Sequence, residues 1–214
     1  MIKIYETTVN EISNMNFLRT STEPLIIKVN NMIKKEEFID IFGDVLLDFS
    51  NNGISTVING KTTIKDCINS DNYIFHDIVK SDFFNTMESV FPRFKEGVKY
   101  IKSRIYCGSS GTGSHFHYHP AALNYLISGI KLWIMIPPSL KNAIFYYKYI
   151  SYRSSNLPLF EWLDLKSKEL FDNVDDMMIF IQSEGSVVYV PDGYFHFVVN
   201  LTEVIGITYS WENI

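Results

Sequence analysis

Residues 110–138 read SGTGSHFHYHPAALNYLISGIKLWIMIPP, and residues 188–201 read VYVPDGYFHFVVNL. Both stretches are short runs of β-branched and aromatic residues cut by Gly, Pro and Ser-Gly, the mark of strands joined by tight turns. Working outward, the same pattern recurs at 100–107, 114–119, 123–128, 130–136, 177–182, 186–190, 196–201 and 204–211. About eight short strands with turn residues between them predict a mainly β fold, a sandwich or barrel. Residues 139–175 interrupt the strands with mixed helix and loop.

The N-terminal half reads differently. EPLIIKVN (23–30) predicts a strand. KEEFIDIFGDVLLD (35–48) sets Phe38, Ile41, Phe42 and Val45 at helical spacing, and ISTVIN (54–59) looks extended. Thr62 or Thr63 can cap a helix through Ile64, Cys67 and Ile68, and DFFNTMESVFPRF (82–94) predicts a short helix stopped near Pro92. No repeat or linker divides the chain. One domain over 1–214 is expected, with 1–99 an elaboration on a strand-rich 100–214.

Composition narrows the function classes. The 214 residues are 46% hydrophobic and 15% aromatic, enough for a buried core. The net charge is −5 and the basic residues are scattered, so nucleic-acid binding is not expected. The start, MIKIYETTVNEI, is charged early and lacks the apolar run of a secretory leader. No stretch reaches the roughly 18 apolar residues of a membrane span. A cytoplasmic protein with no membrane partner is expected, its Cys67 and Cys107 reduced.

The chemistry lies in HFHYH. On a regular strand alternate residues share a face, so His115 and His117 would point together and a third imidazole, His196 at the head of its strand, could complete a metal site. His117 and His119 could instead be the strand pair, with His115 outside. The spacing from Thr112 and the strand-ending Pro120 favour the first register. His76 stands alone and reads as structural. Lys131 is either a solvent-facing hairpin residue or a buried cation that needs an anion.

Three segments, SGTGSHFH, NYLISGIKLWIMIPP and VYVPDGYFHFVVNL, resemble the Jumonji C or cupin-8 protein hydroxylases. Thr112 precedes His115 as in that family's T-x-x-H. Gly129, Lys131, Trp133, Pro137 and Pro138 match its G-x-K-x-W followed by Pro-Pro. Pro191, Gly193, His196, Val198, Asn200 and Leu201 match its P-x-G-x-x-H-x-V-x-N-L. The resemblance is weaker in the first half, over PLIIKVNN and TTIKDCINSDNYIFHDI.

The resemblance implies a double-stranded β-helix (a cupin-like jelly roll), with helices from the N-terminal half. It implies Fe(II), 2-oxoglutarate and O2, with His115 and His196 as iron ligands and Lys131 paired to the far carboxylate of 2-oxoglutarate. Thr112, Asn124 and Thr208 match polar contacts to the same cosubstrate. The family's carboxylate ligand is replaced by His117, which leaves three histidines. The implied activity is hydroxylation of a C–H bond in a peptide or protein side chain, and such hydroxylases often form homodimers. The alternative is a three-histidine cupin that does not use 2-oxoglutarate, either a small-molecule or thiol dioxygenase or a non-catalytic binding module.

Overall fold

The computed structural model describes residues 2–12, 14–50, 59–68, 70–78, 90–91, 97–147 and 157–213. The expected extended segment at 54–59 and the expected helix at 82–94 fall almost wholly outside these residues.

The second half forms eight strands: β6 (Val98–Gly108), β7 (Gly113–His117), β8 (Ala122–Ser128), β9 (Ile130–Ile136), β10 (Met178–Ser183), β11 (Ser186–Val190), β12 (Phe195–Asn200) and β13 (Val204–Asn213). They pair as β11-β8-β13-β6 and β10-β9-β12-β7, the two facing sheets of a jelly roll. The first half extends the larger sheet to nine strands. It adds β1 (Lys3–Thr8) and β2 (Leu25–Asn30) at one edge, and β5 (Tyr73–Asp77), β3 (Leu47–Ser50) and β4 (Gly60–Thr62) at the other.

Each sheet face has its own cover. The outer face of the large sheet, with Ile105, Cys107, Leu123, Ile205 and Ile207, packs on Phe38 and Phe42 of α2 (Lys35–Phe42) and on Ile64 and Cys67 of α3 (Ile64–Cys67). Thr63 caps α3 by accepting from Asp66 N–H, as its sequence predicts. The helix expected over 35–48 stops at Phe42, and Leu47–Ser50 forms β3 instead. A short helix, α1 (Val9–Ile12), follows β1. The outer face of the small sheet, with Phe116, Ile134, Phe195 and Phe197, packs on Trp162 and Leu170 of α5 (Leu159–Asn173); α4 (Leu140–Phe145) adds Phe145. Between the sheets lie Trp133, Met135, Val188 and Val198. Cys67 and Cys107 are buried free thiols, and no helix among the described residues is long and apolar enough to cross a membrane.

One irregularity positions everything that follows. β7 pairs with β12 at His117↔His196, then at Ser114↔Val198 and Gly113↔Val199. Three steps on β7 thus meet two on β12, so β7 carries one extra residue, a β-bulge at His115–Phe116. Gly113 sits at φ +148°, where a Cβ would lie 2.2 Å from the Val198 carbonyl oxygen. Only glycine tolerates that approach. Gly113→Ala is therefore expected to cost about 1–3 kcal/mol of stability, read as a lower midpoint in urea unfolding. An unchanged midpoint would contradict this apposition of β7 and β12.

Candidate metal centre and cosubstrate pocket

The bulge decides which histidines meet. Because of the extra residue, His115 and Phe116 both turn to the outer side of β7. His115 packs on Trp162 and Phe197, and its Nε2–H donates to the Leu157 carbonyl at 2.9 Å. Ser114 and His117 turn inward. The structure thus brings together His117, His119 and His196, with one ring nitrogen of each within 4.8 Å of the others. His115, expected from strand alternation to share the site, lies outside this cluster. Strict alternation fails across a bulge, and β7 ends at His117, so His119 turns back toward His196 from the segment beyond it.

The three rings share one hydrogen-bond pattern. His117 Nδ1–H donates to the His115 carbonyl at 2.7 Å, His119 Nδ1–H to the Pro120 carbonyl at 2.6 Å, and His196 Nδ1–H to the Tyr194 carbonyl at 2.9 Å. A carbonyl only accepts, so each Nδ1 carries the proton and each Nε2 keeps its lone pair. Burial lowers all three pKa values: His117 falls to about 4, His119 is lowered, and His196 lies well below its ordinary value. At neutral pH the set is three neutral imidazoles, a donor set that suits Fe(II), Zn, Cu or Ni. The Pro191-Asp192-Gly193 turn holds one of them in place, since Gly193 N–H donates to the His119 carbonyl at 3.2 Å.

The cluster opens onto a pocket between the sheets, lined also by Lys131, Asn124, Thr208, Arg104, Lys102, Tyr106, Tyr73, Ser114 and Trp133. Pairing across the large sheet explains the lining. Thr208 of β13 is opposite both Arg104 of β6 and Asn124 of β8, so all three share the inner face. Lys131 does not face solvent. It is 2% exposed, its Nζ stands 3.4 Å above the Tyr106 ring, and burial pushes its pKa well below 10.5. Tyr106 is itself anchored, its hydroxyl 2.8 Å from Asn124 Oδ1 and 2.7 Å from the Tyr125 carbonyl. Room for that hydroxyl comes from Gly206, where a Cβ would lie 2.1 Å from it.

Of the residues singled out from the sequence, His117, His196, Lys131, Asn124 and Thr208 line one pocket; His115 and Thr112 do not. Thr112 is buried beside the turn, where its hydroxyl donates to the Ser109 carbonyl and accepts from Asn200 Nδ2. Ser114 takes the pocket position expected of Thr112 and shares the pocket lining with Tyr73. Ser114-x-x-His117-x-His119 repeats, two residues later, the spacing of Thr112-x-x-His115-x-His117. That duplicate spacing was the available signal for Ser114 and His119. Arg104 and Tyr106 carried a fainter one, since they alternate with Lys102 along one strand.

A family model described as a cupin-like domain matches residues 26–214. The chain is 32% identical over 120 residues to the 2-oxoglutarate and iron-dependent oxygenase JMJD4 of Mus musculus, covering 51% of this chain and 26% of that protein. It is 30% identical over 117 residues to the arginine-specific demethylase JMJ22 of Arabidopsis thaliana, covering 51% of this chain and 22% of that one. With the JMJD4 homolog of Drosophila melanogaster the figures are 25% over 147 residues, 66% and 31%. The chain thus spans between a fifth and a third of the length of these curated relatives. The family match runs through β2, the jelly-roll strands and every residue of the pocket, and the chain belongs to the family of cupin-like domains.

Proposed function

We propose that this protein is an Fe(II)- and 2-oxoglutarate-dependent oxygenase that uses a three-histidine site to oxidise a C–H bond in a peptide or protein substrate. One observation carries the reading: a single pocket holds three imidazoles with free Nε2 lone pairs and a buried lysine. No carboxylate among the described residues is a cause of the lysine's shifted pKa. The names of the relatives, iron and 2-oxoglutarate oxygenases and an arginine demethylase, point the same way.

In this reading His117, His119 and His196 hold the metal, and their backbone-bonded Nδ1–H groups fix each ring's tautomer and direction. Fe(II), when bound, supplies the redox chemistry that couples O2 and 2-oxoglutarate to oxidation of the substrate. Lys131 receives the far carboxylate of 2-oxoglutarate, which relieves the cost of its burial. The Tyr106 ring lies under the Lys131 ammonium, and Thr208 and Asn124 offer hydrogen bonds alongside. Trp133 and Val198 keep water from the pocket floor. Tyr73 and Phe75, both from β5, complete the wall. On that ground we propose that residues 1–99 and 100–214 act as one unit.

The ligand set is tested by metal content. His117→Ala, His119→Ala and His196→Ala are each expected to lose at least about tenfold in Fe(II) affinity, while His115→Phe keeps the metal. Metal loss in His115→Phe with retention in His119→Ala would restore the ligand set expected from strand alternation. Anaerobic addition of Fe(II) and 2-oxoglutarate should give a metal-to-ligand charge-transfer band. Absence of the band, together with no succinate release, would refute the oxygenase reading.

Lys131→Met gives two readouts. Affinity for 2-oxoglutarate should fall at least about tenfold with loss of a charge-assisted pair. The metal-free variant should nevertheless be the more stable protein at pH 7, by about 1 kcal/mol or more. The folded pKa of Lys131 is depressed, so the unfolded chain holds the proton more tightly. Its burial penalty is therefore full at low pH and shrinks as pH rises toward 10.5. The gap between variant and wild type in urea unfolding should narrow over that window. A gap that widens with pH would contradict the burial of a charged Lys131.

A further inference from the structure

The pocket's charges go beyond what one cosubstrate uses. Three cationic side chains, Lys102, Arg104 and Lys131, line it, and among the described residues no Asp or Glu does. The three imidazoles are neutral, so the metal site contributes no negative charge. In the reading above one carboxylate of 2-oxoglutarate pairs with Lys131 and its other end meets the metal, which leaves Arg104 and Lys102 without an anion from the cosubstrate.

The cations also divide by position. Lys131 rises from β9 and lies over Tyr106. Arg104 and Lys102 come from β6, two residues apart on the same face, and line the pocket together with His117 and His119. The guanidinium of Arg104 is half-buried and 4.8 Å from the centre of the Phe75 ring. The ring holds the planar guanidinium itself in place. The carboxylates that act nearby are Asp77 on Arg104 and Asp192 on His119, and neither lines the pocket.

We propose that the Arg104–Lys102 side of the pocket receives an anionic group of the primary substrate, so that the peptide oxidised here bears a carboxylate or phosphoryl group close to the reacting C–H. This rests on the oxygenase reading above for the identity of the other occupant. The planar fork of Arg104 suits either anion in a bidentate pair, and Lys102, more exposed, would attract it from solvent. A basic side chain would meet Arg104, Lys102 and a metal ion, which makes a lysine- or arginine-centred substrate the disfavoured one.

The test uses the full chain, loaded with zinc, and short labelled peptides identical except for a central Asp, phosphoserine, Asn or Lys. The Asp or the phosphoserine peptide is expected to bind at least about tenfold more tightly than the Asn and Lys peptides, about 1.4 kcal/mol. A preference for one of the two anions names the group. Arg104→Gln should bring the acidic-to-amide ratio to within about twofold of unity, and Arg104→Lys should restore part of it. Equal or weaker binding of the acidic peptides, no binding of any peptide, or a loss in Arg104→Gln shared equally by the Asp and Asn peptides would overturn the proposal. Retained zinc in the variants shows that they fold. The oxygenase reading fails separately, because the charge-transfer band needs 2-oxoglutarate and no peptide, while this selectivity needs neither iron nor 2-oxoglutarate.

Discussion

The extra residue in β7 is the constraint on which the site depends. β7 and β12 are hydrogen-bonded neighbours, and Gly113 lets β7 come within van der Waals reach of the Val198 carbonyl. Given that contact at one end and His117 opposite His196 at the other, the intervening residues cannot all pair. One bulges, and the facing of everything N-terminal to it flips. His115 and Phe116 then become part of the layer under α5, and Ser114 and His117 become pocket residues. The same local event supplies both a packed outer face and an inward-facing imidazole.

Around that strand the pocket is organised by desolvation. Three imidazoles are held neutral by burial and aimed by backbone carbonyls, and a lysine is held with its ammonium over an aromatic ring. Neutral ligands cost less to bury than a carboxylate and leave the site more positive. The cationic residues of β6 add to that bias. The N-terminal half takes part directly, since β5 extends the large sheet and places Tyr73 and Phe75 against the pocket.

Much of this was legible in the chain itself. Eight short strands and the turns between them follow from alternation and from Gly and Pro placement, and the observed strands fall within a few residues of those expected, while the jelly-roll class came from the family resemblance. The turn Pro191-Asp192-Gly193 and the strand headed by His196 were legible too, because each is fixed by neighbours close in sequence; for Lys131 the residues alone left a solvent-facing hairpin position open, and only the resemblance pointed to a buried cation. The helix over 35–48 was read too long: periodicity continued past Phe42, but Gly43 ends the helix and Leu47–Ser50 pairs with β4 and β5 instead.

The sequence by itself pointed to histidines of the HFHYH run meeting His196 from another strand. It contained two equally spaced candidates, one starting from Thr112 and one from Ser114. Only the tertiary structure decided between them, because the choice rests on a bulge produced by pairing with a strand some eighty residues away. A period-two rule carries no information about an unpaired residue. For the same reason the roles of Arg104 and Tyr106 emerged only with the fold: their neighbours Thr208 and Asn124 are brought beside them by sheet register, which no local pattern encodes.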